Sequence, residues 1–169
     1  NGVKAISDKL GISLSNVSNA LEPLRRMGAI SVKKMCFHVT NPKKMIYYWA
    51  SVRNLKKDII YSTRVEKSVI EIEKLMPDSV VFTAYTGYRL KFKEAPADYS
   101  EIYVYSNDLD EIKRRFPESK NIPNIFVLKK DKNIDKYGKI ATNANIFVDL
   151  WNLPEWYAQD FLKAMEQKW

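Results

Sequence analysis

Between Val3 and Asn41 the spacing of apolar residues changes character twice, and a glycine stands at each change. "VKAISDKLG" has apolar residues at 3, 6 and 10 with Ala5 between them, a helical period that ends at Gly11. "GIS" supplies a tight turn, and Ser13 is a good N-cap for a second helix. In that helix Val17, Ala20, Leu21 and Leu24 recur at i, i+3, i+4 and i+7, one apolar stripe, while Ser15, Asn16, Ser18, Asn19 and Glu22 form a short polar face opposite. Gly28 stops the helix, and "AISVKKMCFHVTN" follows with β-formers around two lysines, which predicts a two-stranded ribbon.

The charge is placed as unevenly as the pattern. The chain of 169 residues carries a net +8. Residues 1–57 hold eleven Lys or Arg against Asp8 and Glu22 alone, a net +9, and residues 58–169 come to −1. An excess confined to one third is the footprint of a polyanion-binding module joined to a part with another task; the competing reading is a solvated, soluble surface. Apolar residues at 46% and aromatics at 12% suffice for a packed core. No apolar run approaches 18 residues and no signal-peptide pattern opens the chain, so a cytoplasmic protein away from membranes is expected. The single cysteine, Cys36, suits a reducing compartment, and with one histidine, His38, a Cys/His zinc site within one chain is excluded.

Ala5 through Gly11, Val17, Leu21 and Leu24 to "GAI" resembles the winged helix-turn-helix of bacterial and archaeal transcription regulators, over about residues 3–40. The resemblance implies a recognition helix at 13–27, with Ser15, Asn16 and Asn19 facing base edges, where Asn pairs bidentately with adenine. Ser13, Arg25, Arg26, Lys33 and Lys34 would meet phosphates, which position the protein without reading sequence. Two features depart from the pattern. Pro23 sits inside the recognition helix, after the residues expected to read DNA, and should bend it. A winged helix also has a helix ahead of "VKAISDKLG", for which a chain starting at Asn1 has no room, so another element is expected to complete the core.

From Pro42 to Pro77 there is no glycine and no internal proline, which predicts long helices, beginning at Asn41-Pro42. Met45, Tyr48, Val52, Leu55 and Ile59 recur at spacings of 3, 4, 3 and 4, a seam on a helix 42–60 that could dimerise or pack as core. Val65, Val69, Ile72 and Met76 form a second series, with the break expected near Ser62-Thr63.

Beyond Pro77, "SVVFTAY", "SEIYVYS", "NIFVLKK" and "NIFVDLW" read as strands, and "GYRLKF" as a short helix or another strand. "NDLDEIKRRF" is a capped helix with acids early and bases late. "LPEWYAQDFLKAMEQKW" closes the chain as an amphipathic helix, with Tyr157, Phe161, Met165 and Trp169 on one face. Trp151, Trp156, Tyr157 and Trp169 are expected to serve core packing rather than a ligand. The class is therefore α+β or α/β: a unit at 1–41, a helical connector at 42–77, and a mixed α/β domain at 78–169.

This order, ending in "DLWNLPEWYAQDFLKAM", resembles the AbiEi-type antitoxin regulators of abortive-infection systems, whose larger domain is similar to a nucleotidyltransferase. The likeness implies a homodimer that binds an inverted repeat near its own promoter and represses a toxin partner. The Lys-, Ile- and Tyr-rich composition suits an archaeal member. A working transferase needs a Gly-Ser turn for phosphates and paired acids for Mg²⁺. Here Gly87 is followed by Tyr88, Glu101-Ile102-Tyr103 stands where the acid pair would fall, and Asp149 could supply at most a third acid on a neighbouring strand. Asp108-Leu109-Asp110 is better explained as a helix start. Cys36 and His38 share a strand face without a third group to orient them, which argues against a nucleophile.

The expectation is a sequence-specific regulator of duplex DNA, not an enzyme, with no metal or cofactor. The alternatives are a nucleotidyltransferase with an atypical metal site, or a module that binds RNA or protein.

Overall fold

In the computed structural model, residues 2–33 and 36–169 are described. Helix α1 (Val3–Leu10) ends where Gly11 takes a left-handed conformation at φ 63°, which glycine adopts without Cβ strain. The Ser7 hydroxyl, buried, donates to the Ile12 carbonyl at 2.6 Å and fixes the turn from inside. Helix α2 (Leu14–Arg26) starts on Ser13, whose Oγ accepts from the Asn16 backbone N–H at 3.1 Å. It runs through Pro23 for one further turn before Gly28, at φ 69°, releases the chain. Lys44 Nζ donates to the Met27 carbonyl at 2.9 Å, satisfying an acceptor that the end of α2 leaves open. Strands β1 (Ile30–Lys33) and β2 (Cys36–Val39) pair antiparallel from Ile30↔Val39 to Lys33↔Cys36, and Gly2 bridges Cys36 on the outer side. Helix α3 (Pro42–Val52) begins with Asn41 Oδ1 accepting from the Lys44 N–H at 3.0 Å. These elements make one compact unit, Asn1–Val52; Arg53–Trp169 make the other.

The second unit opens on a 3₁₀ turn (Leu55–Asp58) and contains β3 (Ile59–Thr63), α4 (Val69–Leu75), β4 (Val81–Thr83), α5 (Ala84–Phe92), β5 (Ile102–Ser106), α6 (Leu109–Arg115) and β6 (Ile125–Lys129). A second 3₁₀ turn (Ile134–Tyr137), α7 (Asn143–Trp151) and α8 (Ala158–Glu166) complete it. The sheet order is β3-β6-β5-β4, with β5 and β6 parallel and both outer pairs antiparallel. All five residues of β5 are buried, as a central strand covered on both faces requires. Ile102 and Val104 face a core with Ile72, Met76, Ile112, Phe116, Ile125 and Val127, under α4 and α6. Tyr103 faces the opposite way, toward Tyr85 of α5 and, through it, Phe161 of α8. The fold is mixed α+β, and no helix among the described residues is long and apolar enough to cross a membrane.

Four expected elements differ. "NIFVDLW" is helix α7, not a strand: Thr142 Oγ1 accepts from the Asn145 N–H at 3.2 Å, and a helix whose residues 146–150 are all buried shows the same apolar run as a core strand. Asp149 consequently stands on a helix. The helix expected over 42–60 ends at Val52, and Ile59–Thr63 is strand β3, antiparallel to β6. Three of its five residues, Ile59, Ile60 and Thr63, are β-branched and favour a pleated surface. Helix α4 begins at Val69 rather than Val65, because Ser68 and Glu71 form a reciprocal capping box. "TAY" divides likewise, Thr83 closing β4 and Ala84 opening α5. Residues 42–77 thus belong to two units rather than to one connector.

Candidate nucleic-acid interface

The first unit holds eight Lys or Arg against Asp8 and Glu22. The outer side of α2 is a continuous exposed surface in this unit. Val17 is buried and Leu21 and Leu24 half-buried, which turns Ser15, Asn16, Ser18, Asn19 and Glu22 to solvent. Ser15, Asn19, Glu22 and Arg26, spaced 4, 3 and 4 apart, fall along one line of that side. The Ser13 hydroxyl is 3.1 Å from that of Ser15, so the cap also positions the first residue of the polar face. Leu14 keeps half of its surface exposed (50%) and Ile12 in the turn 39%, apolar groups on the border of a polar face.

Sequence-assigned phosphate contacts fare differently from one another. Arg26 and Lys33 are exposed at the ends of α2 and β1. Arg25 forms a solvent-exposed ion pair with Glu22 at 3.2 Å, which a phosphate can displace at small cost. Lys34 lies outside the described residues. Cys36 Sγ donates to the Lys33 carbonyl at 3.3 Å and lies 3.8 Å from His38 Nε2, both at the exposed ribbon. Lys43 adds an exposed cation at the start of α3 that the charge count contained but the site assignment omitted. An apolar hollow of about 710 Å³, lined by Val3, Ala5, Leu14, Val32 and Cys36, opens between α1, the start of α2 and the ribbon.

The expected dimer seam is not one helix face. Met45 and Tyr48 are half-buried and Val52 is 59% exposed on α3. Leu55 is buried in the 3₁₀ turn and Ile59 sits in β3, so neither continues the stripe.

The second unit concentrates its polar chemistry on the Tyr103 side of the sheet. Asp149, wholly buried, accepts from Arg53 Nε at 3.1 Å, from Thr83 Oγ1 at 2.6 Å and from the Tyr105 hydroxyl at 2.7 Å. Burial pushes its carboxyl up, against the pull of Arg53 and the two hydroxyls. Arg53 also reaches Asp58 at 3.2 Å and the Tyr105 hydroxyl at 2.9 Å. Nearby, Glu155 accepts from Tyr85 and Tyr103, and Glu101 from Tyr157. Glu73 pairs with Arg89 and accepts from Thr86 at 2.9 Å. Burial is the main cause that raises the hydroxyls of Tyr85, Tyr103, Tyr105 and Tyr157 above the ordinary tyrosine range. Every carboxylate in this network already accepts from a tyrosine, threonine or arginine, and Tyr103 stacks on Phe126 at 4.7 Å. Among the described residues no three His, Cys, Asp or Glu side chains gather as a metal would require. Ala84 holds φ 49° at the β4–α5 junction, a strained position for a side chain bearing Cβ. Gly87 follows because a Cβ there would stand 3.1 Å from the Phe82 carbonyl.

Asp108 caps α6 by accepting from the Glu111 N–H at 3.2 Å. The aromatic residues near the end do not all serve the core: Trp156 is 77% exposed and Trp151 44%, while Trp169 lies against Phe147 at 4.6 Å. No protein-family model matches the chain, and no curated protein or solved structure does.

Proposed function

We propose that this chain is a sequence-specific regulator of duplex DNA, a repressor that binds an inverted repeat as a homodimer. In this reading α1, α2 and the β1–β2 ribbon form a winged helix-turn-helix, with α2 as recognition helix. The observation that carries it is the outer side of α2: short, exposed Ser15, Asn16, Ser18 and Asn19, held by the Ser13 cap in a unit with eight basic and two acidic residues. Short amide and hydroxyl side chains let a helix backbone approach base edges, while cations at its end and on the ribbon neutralise phosphates. The face of α3 bearing Met45, Tyr48 and Val52 pairs the two copies, which two half-sites need. In this reading the second unit is a nucleotidyltransferase-like domain that lacks the catalytic acids, with Glu101-Ile102-Tyr103 where the acid pair would fall. It serves assembly or a protein partner, such as a cognate toxin, without chemistry of its own.

The roles separate by mutation. Asn16→Ala and Asn19→Ala relax sequence preference, each by about 1–3 kcal/mol at the matching base where the contact is bidentate. Lys33→Ala weakens all duplexes alike and lowers the salt slope by about one. Competition binding against single-base variants of a bound duplex measures both. Equal loss on every duplex from both sets would overturn the assignment, and a preference for single-stranded RNA would overturn the reading.

A further inference from the structure

Resting on that reading, we infer that α2 reads adenine–thymine steps in the major groove, so the operator half-site is A·T-specified where the first two turns of this helix lie. The inference follows from which side chains the surface offers and which it withholds. Guanine is read by Arg or Lys on O6 and N7, and cytosine by Asp or Glu accepting from N4. From Ser13 to Leu21 the chain has none of these four residues. Glu22, the first acid, is paired with Arg25, and the cations Arg25 and Arg26 come only in the last turn. Helix N-terminal residues, rather than the last turn, reach base edges in this docking geometry.

What the surface does offer matches the other base pair on both strands. Exposed Asn16 and Asn19 each present a carbonyl and an amide that fit adenine N6 and N7. Leu14 stands about 160° round the helix from Asn16 and lines the hollow between α1 and the ribbon, so the exposed apolar group nearest this side is Ile12, 39% exposed in the turn before the helix. Apolar contact with the C5-methyl group distinguishes thymine. Ser15 and Ser18 accept either base and add no preference.

The test uses the full chain and a library of random duplexes, followed by base analogues in the enriched duplex. Enrichment of A·T at the half-site steps is expected. Replacing a contacted adenine by 7-deazaadenine, which lacks the N7 acceptor, should weaken the wild type at least about fivefold. The matching variant, Asn16→Ala or Asn19→Ala, should be indifferent to that change. Replacing a contacted thymine by uracil should weaken the wild type and leave Ile12→Ala unaffected. Enrichment of G·C at steps sensitive to these variants overturns the inference while the regulator reading stands. A·T enrichment insensitive to both analogues also overturns it, because preference would then come from duplex shape. No enrichment at all overturns the regulator reading itself.

Discussion

Asp149 and Arg53 join parts of the second unit that are far apart in sequence, and their pairing is supported by three further hydrogen bonds, from Thr83 and Tyr105 to Asp149 and from Arg53 to Tyr105, and by an ion pair with Asp58. Removing one partner leaves a charge in a site with little water. Asp149→Ala should therefore cost about 3–5 kcal/mol, measured as the change in urea unfolding at constant m. A loss within about 0.5 kcal/mol, the level of an ordinary surface substitution, would show the pair to be incidental. Titration separates two other residue classes. Hydrogen bonds from Ser68 hold the Glu71 carboxyl below its ordinary value. Its contribution is thus present above the unfolded carboxylate range and is lost as pH falls through the folded value. The stability difference between wild type and Glu71→Gln should shrink toward zero in acid. For the tyrosines the sign is reversed. Tyr85, Tyr88, Tyr99, Tyr103, Tyr105 and Tyr157 are raised in the folded state, Tyr88 to about 12, so they stabilise fully below the unfolded tyrosine range and lose that contribution as pH rises. Ultraviolet difference titration should show these six tyrosines ionising only together with alkaline unfolding.

Helix starts decide most of the local structure, and here the sequence was legible where a cap stood beside a period. Ser13 with Val17, Leu21 and Leu24 placed α2 correctly, and Asn41-Pro42 placed the start of α3. The same signal stands at Thr142, where an apolar run without glycine favours the strand period, and at the Ser68–Glu71 box, where the helical period holds and only the start shifts from Val65 to Val69. Replacing Ser13 or Thr142 by Ala should cost about 1 kcal/mol each, read by thermal unfolding. Ser13→Ala should in addition weaken duplex binding, since Ser15 and Asn16 lose their fixed start. Loss of stability without loss of binding would argue that α2 does not contact the ligand by this end. The stretch 53–63 was not legible for a different reason. Leu55 and Ile59 continue a heptad by coincidence, and only long-range pairing with β6 selects the strand.

For the whole molecule, the charge asymmetry and the α+β class were readable from composition and pattern, because both are sums over many residues. The buried Asp149–Arg53 pair was not, since its partners lie 96 positions apart. Nor was the convergence of Tyr85, Tyr103 and Tyr157 on Glu101 and Glu155, which depends on sheet order. The structure also sharpens the charge argument. Arg53, Lys56 and Lys57, counted with the basic third, belong to the second unit, where Arg53 is engaged by Asp149, so the first unit keeps eight of the eleven cations, the described ones on α1, α2, β1 and α3. The central claim is that this surface recognises a particular duplex. Fluorescence anisotropy on the duplex upstream of the protein's own gene and on a scrambled duplex, each across a salt series, tests it directly. Tighter binding to the upstream duplex, with log affinity falling steeply and linearly in log salt for both, is the predicted result. Equal affinity for the two at every salt concentration would contradict it, leaving a basic surface that reads no sequence.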